Sequence, residues 1–390
     1  MKKILAIQLS ILLAAAVAFS DQKPQWKGKI ETENGVKVIK NPKEPLYGEI
    51  VFDLEEELSI GNENDENSTF YLGLDIAVDK DDNIFVLDSG NSRIQKFDKN
   101  GRYLMTIGRK GQGPGEFQGF SGAFIDSKSN LYVDQGHSIS VFDNKGKYIR
   151  SIPLGTQSYL FGITADGNII ATIVTIIETK ISDDIVLFDS VGKRLKTLAT
   201  YPNPRVKIAS GVALGARNTF APHLYFLPLN EKLGIYGFSL NYRLFLINSS
   251  SDIISIIEKE EIPEPLTKKD KERDIDSEID FWKKHGMLIP RNEIEKAYPF
   301  PPNKAFFHGL MTDDLGNIYV SKISTIKKDF SWDFFNPKGY YLYKVIMKEA
   351  RWPEIIKNGC IYTTSMDKET GYFKVKRYRI KNWDQIKKVI

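Results

Sequence analysis

Short runs of alternating or continuous apolar residues, each about one β-strand long, recur from Asp75 to the C-terminus with polar turn residues between them. The first set reads Asp75–Asp79, Asn83–Asp88, Arg93–Asp98 and Arg102–Gly108. That spacing predicts four antiparallel strands, A to D, joined by tight turns such as Lys80–Asp82 and Lys99–Gly101. The order returns in Phe124–Asp134 and Ile139–Ile152, then in Ile163–Ile170 and Ile185–Gly192. A weaker copy runs from Leu224 to Ile257, with Tyr242–Asn248 in the third-strand place. A fifth unit has Leu310–Val320 and Tyr341–Ile346, and a sixth has Ile355–Thr364 and Tyr372–Ile380. A four-stranded sheet of this kind exposes two apolar faces, and only neighbours stacked radially bury both. At ~40–50 residues per unit the pattern predicts an all-β, six-bladed β-propeller with four-stranded antiparallel blades.

The sixth unit lacks a D strand. The segment Ile50–Gly61 ends like the D strand of the first unit and is expected to complete the sixth blade, removing an open sheet edge. The propeller then occupies residues 47–390, with 21–46 as an N-terminal extension. Turns A–B and C–D stay short, whereas B–C is enlarged at Thr172–Asp183 and Ser321–Tyr340, and D–A at Thr200–Ala221 and Glu258–Ala305. All the bulk falls at one end, and such decorated ends carry binding. The insertion 258–304 between blades four and five reads as helical. Thr267 and Asp270 can cap a helix whose Ile275, Ile279 and Trp282 share one face, and a second helix is expected over Arg291–Tyr298. This pair either covers the mouth as a lid or packs on blades four and five.

The run Leu87–Gly101 and the glycine-rich connector Gly108–Phe117 resemble an NHL repeat, and the chain is similar to secreted bacterial six-bladed propellers built on such repeats. The resemblance implies the fold. It constrains function little, since those propellers include binding modules, scaffolds and a few enzymes. Export is also expected from the leader: Lys2 and Lys3, an apolar run Ile4–Phe19, and small residues Ala18 and Ser20 before Asp21 form a signal peptide over 1–20. No later segment is long and apolar enough to span a membrane, so the mature chain is expected to be periplasmic or secreted.

Composition narrows the chemistry. With 54 basic and 50 acidic residues, the near-neutral balance argues against nucleic acid as a partner. A single cysteine excludes a disulfide framework or a cysteine-rich zinc module. Cations and aromatics expected at the decorated end, Arg93, Arg205, Lys207, Arg217, Tyr236, Trp332, Phe334 and Phe335, suit a protein, peptide or glycan ligand. Trp332–Phe335 reads as an apolar loop patch, and Asp88 and Asp134 read as turn caps.

The main reading is therefore a binding or scaffold module with no cofactor. The alternative is a metal-dependent lyase or hydrolase. His223 and His308 fall at equivalent entrances to strand A, and His137 lies at the same end, so the three imidazoles could hold zinc, or the site calcium, at the channel mouth. A lyase of peptidyl-α-hydroxyglycine on an NHL-type propeller has such a three-histidine zinc site, which the resemblance brings into view.

Overall fold

The computed structural model describes residues 24–71, 74–177, 180–203, 206–207, 213–214, 219–297, 300–322, 330–348 and 354–387. The expected signal peptide over 1–20, Arg205 and Arg217 lie outside them. Six four-stranded antiparallel blades follow one another: Leu74–Ile107, Gly122–Pro153, Ser158–Pro202, Leu224–Lys259, Gly309–Met347 and Ile355–Ile380, the last completed by Leu54–Ile60. Strand A of every blade lines a central channel. Each of the six interfaces between blades has its own apolar core. Phe85, Leu87, Leu131 and Val133 join blades 1 and 2, for example, and Ile60, Phe70, Ile84 and Tyr362 join blades 6 and 1.

Where an acidic residue opens a short turn, it does structural work. Asp79 Oδ1 accepts from the amides of Asp81 and Asn83, both at 2.9 Å, and its other oxygen takes the Asn83 side-chain amide. Asp126 and Asp313 repeat this pattern in blades 2 and 5. In the C–D turn of blade 3, Gly192 has φ +91°, and a Cβ there would run into the Pro153 carbonyl of the preceding blade's outer strand. Glycine at this turn lets neighbouring blades close on each other.

The N-terminal segments are distributed over three blades. Leu54–Ile60 pairs antiparallel with Phe373–Ile380, in a register running from Ile60 opposite Val375 to Leu54 opposite Ile380. Charge matches along this seam. The basic strand meets Glu55, Glu56 and Glu57, with Lys376 to Glu56 at 2.7 Å and Arg379 to Glu55 at 2.6 Å. Exposed pairs like these add at most about 1 kcal/mol each, so they select the register more than they strengthen it. The expected single strand over 50–61 is in fact two, because Glu49–Val51 pairs parallel with the outer strand of blade 5.

The described part of the N-terminal extension, residues 24–46, is also tied to the propeller. Lys29–Glu33 and Val36–Asn41 form a hairpin whose second strand adds parallel to the outer strand of blade 4, giving a six-stranded sheet. Asn34 (φ 51°) and Gly35 (φ 82°) make its two-residue turn. Asn41 fastens it, donating to the Glu258 and Gly339 carbonyls and accepting from the Tyr341 amide.

Two loop expectations are corrected. In blade 3 the enlarged B–C segment is a longer ladder, Ile169–Ile177 against Lys180–Phe188. In blade 5 the segment read as a loop over 321–340 contains strand C, Phe330–Phe335, and Tyr341–Met347 is strand D. The helical insertion has helices at Lys268–Lys284 and Arg291–Ala297. Thr267 caps the first in a reciprocal capping box with Asp270. Its Ile275 packs with Ile294 of the second helix, beside Ile279, Trp282 and Phe300.

Candidate functional site

At the loop-bearing end, residues of the 260–308 connection, Phe220 and strands B to D of blade 5 line a cavity of about 280 Å³. Phe220, Ile262 and Phe306 give it apolar surface, Lys304, Lys322 and Glu261 give it charge, and His308 adds a polar ring. The charges are held from below. Glu261 bridges Lys322 and Lys259, the latter at 2.7 Å, and Lys259 also reaches Asp333 at 3.0 Å. Burial works to raise the Glu261 pKa, but the two lysines outweigh it and hold the carboxyl below its usual range. Burial lowers the Lys322 pKa. Lys304 is paired with Glu264 and, at 3.6 Å, with Asp270 of the helix cap, which ties the insertion to the pocket.

The residues expected to bind a ligand are mostly placed elsewhere. Trp332 and Phe334 are 1% and 0% exposed in strand C of blade 5 and pack between blades 5 and 6. Tyr236 is buried between blades 3 and 4, stacked on Phe245 with ring centroids 4.9 Å apart. No exposed aromatic patch forms from these residues, because alternation in a strand turns them into the inter-blade cores. Phe335, fully buried, joins the core between blades 4 and 5. Arg93 clamps the B–C corner of blade 1, donating to Asp88 at 3.1 Å and to the Thr69 carbonyl at 3.0 Å. Asp88 and Asp134 serve as caps: Asp134 accepts from the Gly136 amide at 2.7 Å and from Ser158 Oγ at 2.8 Å. Arg217 falls outside the described residues.

The histidines divide. His223 and His308 stand at the entrances to strand A of adjacent blades, next to Leu224 and Gly309. Burial, with a smaller contribution from the His223 charge, lowers the His308 pKa to about 4, so that imidazole is neutral at physiological pH. His137 does not join them. It is exposed in the B–C connection of blade 2, where its carbonyl accepts from the Leu154 amide at 2.9 Å. Among the described residues no three His, Cys, Asp or Glu side chains converge as a metal site, so the expected three-histidine centre is not assembled.

A second polar feature was not singled out in the sequence. Asp75, at the second position of strand A in blade 1, and Glu354, at the threshold of blade 6, both line the central channel. Glu354 Oε1 accepts from the Thr364 amide at 3.0 Å and from the Thr364 hydroxyl, whereas Oε2 is buried with no hydrogen-bond partner. Burial first, then the Asp75 charge, raises the Glu354 pKa to about 7. Enclosure by protein raises that of Asp75 as well, although its side chain still faces the open channel. The signal that was available is positional: both acids sit where strand A enters the channel.

With this geometry in hand, a family described as a 6-bladed β-propeller (DUF5128) matches residues 73–170, which cover blades 1 and 2 and the start of blade 3. The chain is a six-bladed propeller. Among solved structures, a candidate exported protein from Bacteroides fragilis superimposes with a TM-score of 0.54 at 14% identity, covering 88% of this chain and 99% of that one. A member of the DUF4221 family from Bacteroides vulgatus gives a TM-score of 0.51 at 12% identity, with coverages of 84% and 98%. At these identities the likeness of the propeller to both is one of fold. No curated protein sequence matches the chain. No helix among the propeller's described residues is long and apolar enough to cross a membrane.

Proposed function

We propose that this propeller is an exported binding or scaffold module, periplasmic or secreted, that takes one residue of a peptide, protein or glycan partner into the pocket at its loop-bearing end. One observation carries the reading. The largest insertion in the chain builds a cavity of about 280 Å³ in which aromatic faces, lysines and carboxylates stand together. Such a mixture of apolar walls and a few oriented polar groups is how small recognition sites are made. The volume suits a single side chain or sugar ring better than a large cofactor. The leader over 1–20 and the likeness to a candidate exported protein both favour export. A zinc-dependent lyase or hydrolase would need a third ligand beside His223 and His308, which His137 does not supply.

Ile262 offers a clean test, because it lies on the pocket rim and is 70% exposed, so substitution leaves the cores intact. Peptide and glycan arrays probed with the mature protein should show selective binding, and Ile262→Glu should weaken the best signals at least tenfold. Identical array profiles for the two proteins, or no selective binding at all, would remove this pocket as the recognition site.

A further inference from the structure

The central channel encloses about 530 Å³ and is lined by strand A of all six blades. Its described lining includes Asp75 and Glu354 and no lysine, arginine or histidine; the remainder is apolar, aromatic or small and neutral. Buried acids are ordinarily paired or shed their charge, because taking a lone carboxylate out of water is costly. Here the described channel lining supplies no cationic partner: Asp75 faces the open channel, and partly buried Glu354 sheds part of its charge instead. No cation contributes to the titration of either group, and the Asp75 charge adds to the burden on Glu354 rather than relieving it. Glu354 Oε2 is buried and accepts no hydrogen bond. Asp75 Oδ2 lies over the Gly122 backbone, where a Cβ would touch it at 3.5 Å, so the absence of a side chain on blade 2 keeps space beside the carboxylate.

Two carboxylates of neighbouring blades, one with an unused oxygen, make a receptor for positive charge. The surroundings decide which kind. A hard metal ion wants six to eight oxygen ligands, yet no third carboxylate or imidazole among the described residues converges here. Phe124, Phe161, Tyr159 and Met311 share the channel wall instead. Aromatic faces and a thioether favour a cation that carries an apolar body.

We propose that the channel binds an organic ammonium ion, its charged nitrogen held by Asp75 and Glu354 and its carbon body in contact with the apolar channel wall. The site is distinct from the pocket under the inserted helices, so either reading can fail without the other. Glu354 must be ionised to bind, so affinity falls as the pair takes up protons.

Calorimetric titration of the full mature protein at pH 8 with benzylammonium chloride tests this, with benzyl alcohol and calcium chloride as parallel arms. Saturable one-site binding of the amine is expected, with no saturation by the alcohol. Glu354→Gln and Asp75→Asn should each weaken the amine at least tenfold, and wild-type affinity should drop at least tenfold between pH 8 and pH 5. Two variants are used so that a folding defect in one leaves the other decisive. The proposal is overturned by equal binding of alcohol and amine, or by unchanged amine affinity in both variants. It is equally overturned if no saturation appears up to ~50 mM amine, or if calcium binds stoichiometrically while the amine does not.

Discussion

Two acidic centres of this propeller, one in a core between blades and one in the central channel, handle charge in opposite ways. Asp333, 1% exposed between blades 4 and 5, is fully answered: Tyr242 and Tyr341 donate their hydroxyls at 2.6 and 2.7 Å, and the Lys259 ammonium lies at 3.0 Å. Burial works against the Lys259 charge, but Asp333 and Glu261 outweigh it and hold its pKa above the usual range. Lys259 also sits over the rings of Tyr242 and Tyr341, at 5.2 and 4.8 Å from their centroids. Glu354 and Asp75 in the channel have no counter-charge among the described residues: Glu354 accepts from Thr364, and Asp75 from the Ile76 amide at 2.8 Å. A charge that serves the fold is neutralised by the fold. A charge left unanswered in a cavity is paid for in stability and is explicable by what the cavity receives.

The largest expected effect comes from breaking the answered centre. Asp333→Ala leaves two buried tyrosine hydroxyls without their acceptor and Lys259 with Glu261 alone, and a broken buried pair costs about 3–5 kcal/mol. Denaturant unfolding at pH 7 measures it. A loss below about 1 kcal/mol would mean that water or another group replaces the carboxylate, and the contrast between the two centres would collapse.

How much of this was legible in the chain follows the range of the interactions. Blade 1 could be read almost residue by residue, because its turns are written locally by Asp79 and Asp98, each bonding amides two and four positions on. Strand C of blade 5 reads as a loop in the sequence. Phe330–Phe335 alternates apolar and polar over its first five residues, but it lies well beyond the short B–C spacing of blade 1, its last four residues are all buried, and its one acid finds partners 74 and 91 residues away. Nothing local marks that Asp333 belongs in a core. The N-terminal hairpin is different: Asn34-Gly35 between alternating runs is a strong hairpin signal that the sequence does carry, while its parallel partner in blade 4 is not announced. The acid-rich strand Leu54–Ile60 and the basic strand Phe373–Ile380 could have been matched by charge alone. The channel pair needed three dimensions, because Asp75 and Glu354 stand at opposite ends of the propeller sequence.

A smaller effect, of opposite sign, is expected from the unanswered centre. Glu354 titrates near 7 in the folded protein against an ordinary value of 4.5. The folded state therefore keeps a proton that the unfolded chain releases between those values. Stability is favoured below pH 4.5 and declines as pH rises to 7, by up to about 3 kcal/mol from this group. Glu354→Gln removes that slope, so the variant should be more stable than the wild type at pH 8 and show no such gain at pH 4.5. Unfolding curves across this range check it. A variant destabilised equally at both pH values would show that the carboxylate is needed structurally, as Asp333 is.

The finest distinction lies within the channel pair itself. Burial is the larger cause of the raised Glu354 pKa, and the Asp75 charge is a smaller one. Asp75→Asn should thus move the Glu354 transition downward without returning it to the ordinary value, and the stability slope between pH 4.5 and 7 should shrink but persist. Carboxyl carbon chemical shifts of Glu354 followed through the pH range would read both variants directly. If Asp75→Asn left the Glu354 midpoint where it was, the two acids would be electrostatically independent, and a single ligand charge shared between them would lose its basis. A midpoint restored fully to the ordinary range would instead make like-charge repulsion, not burial, the dominant force in the channel.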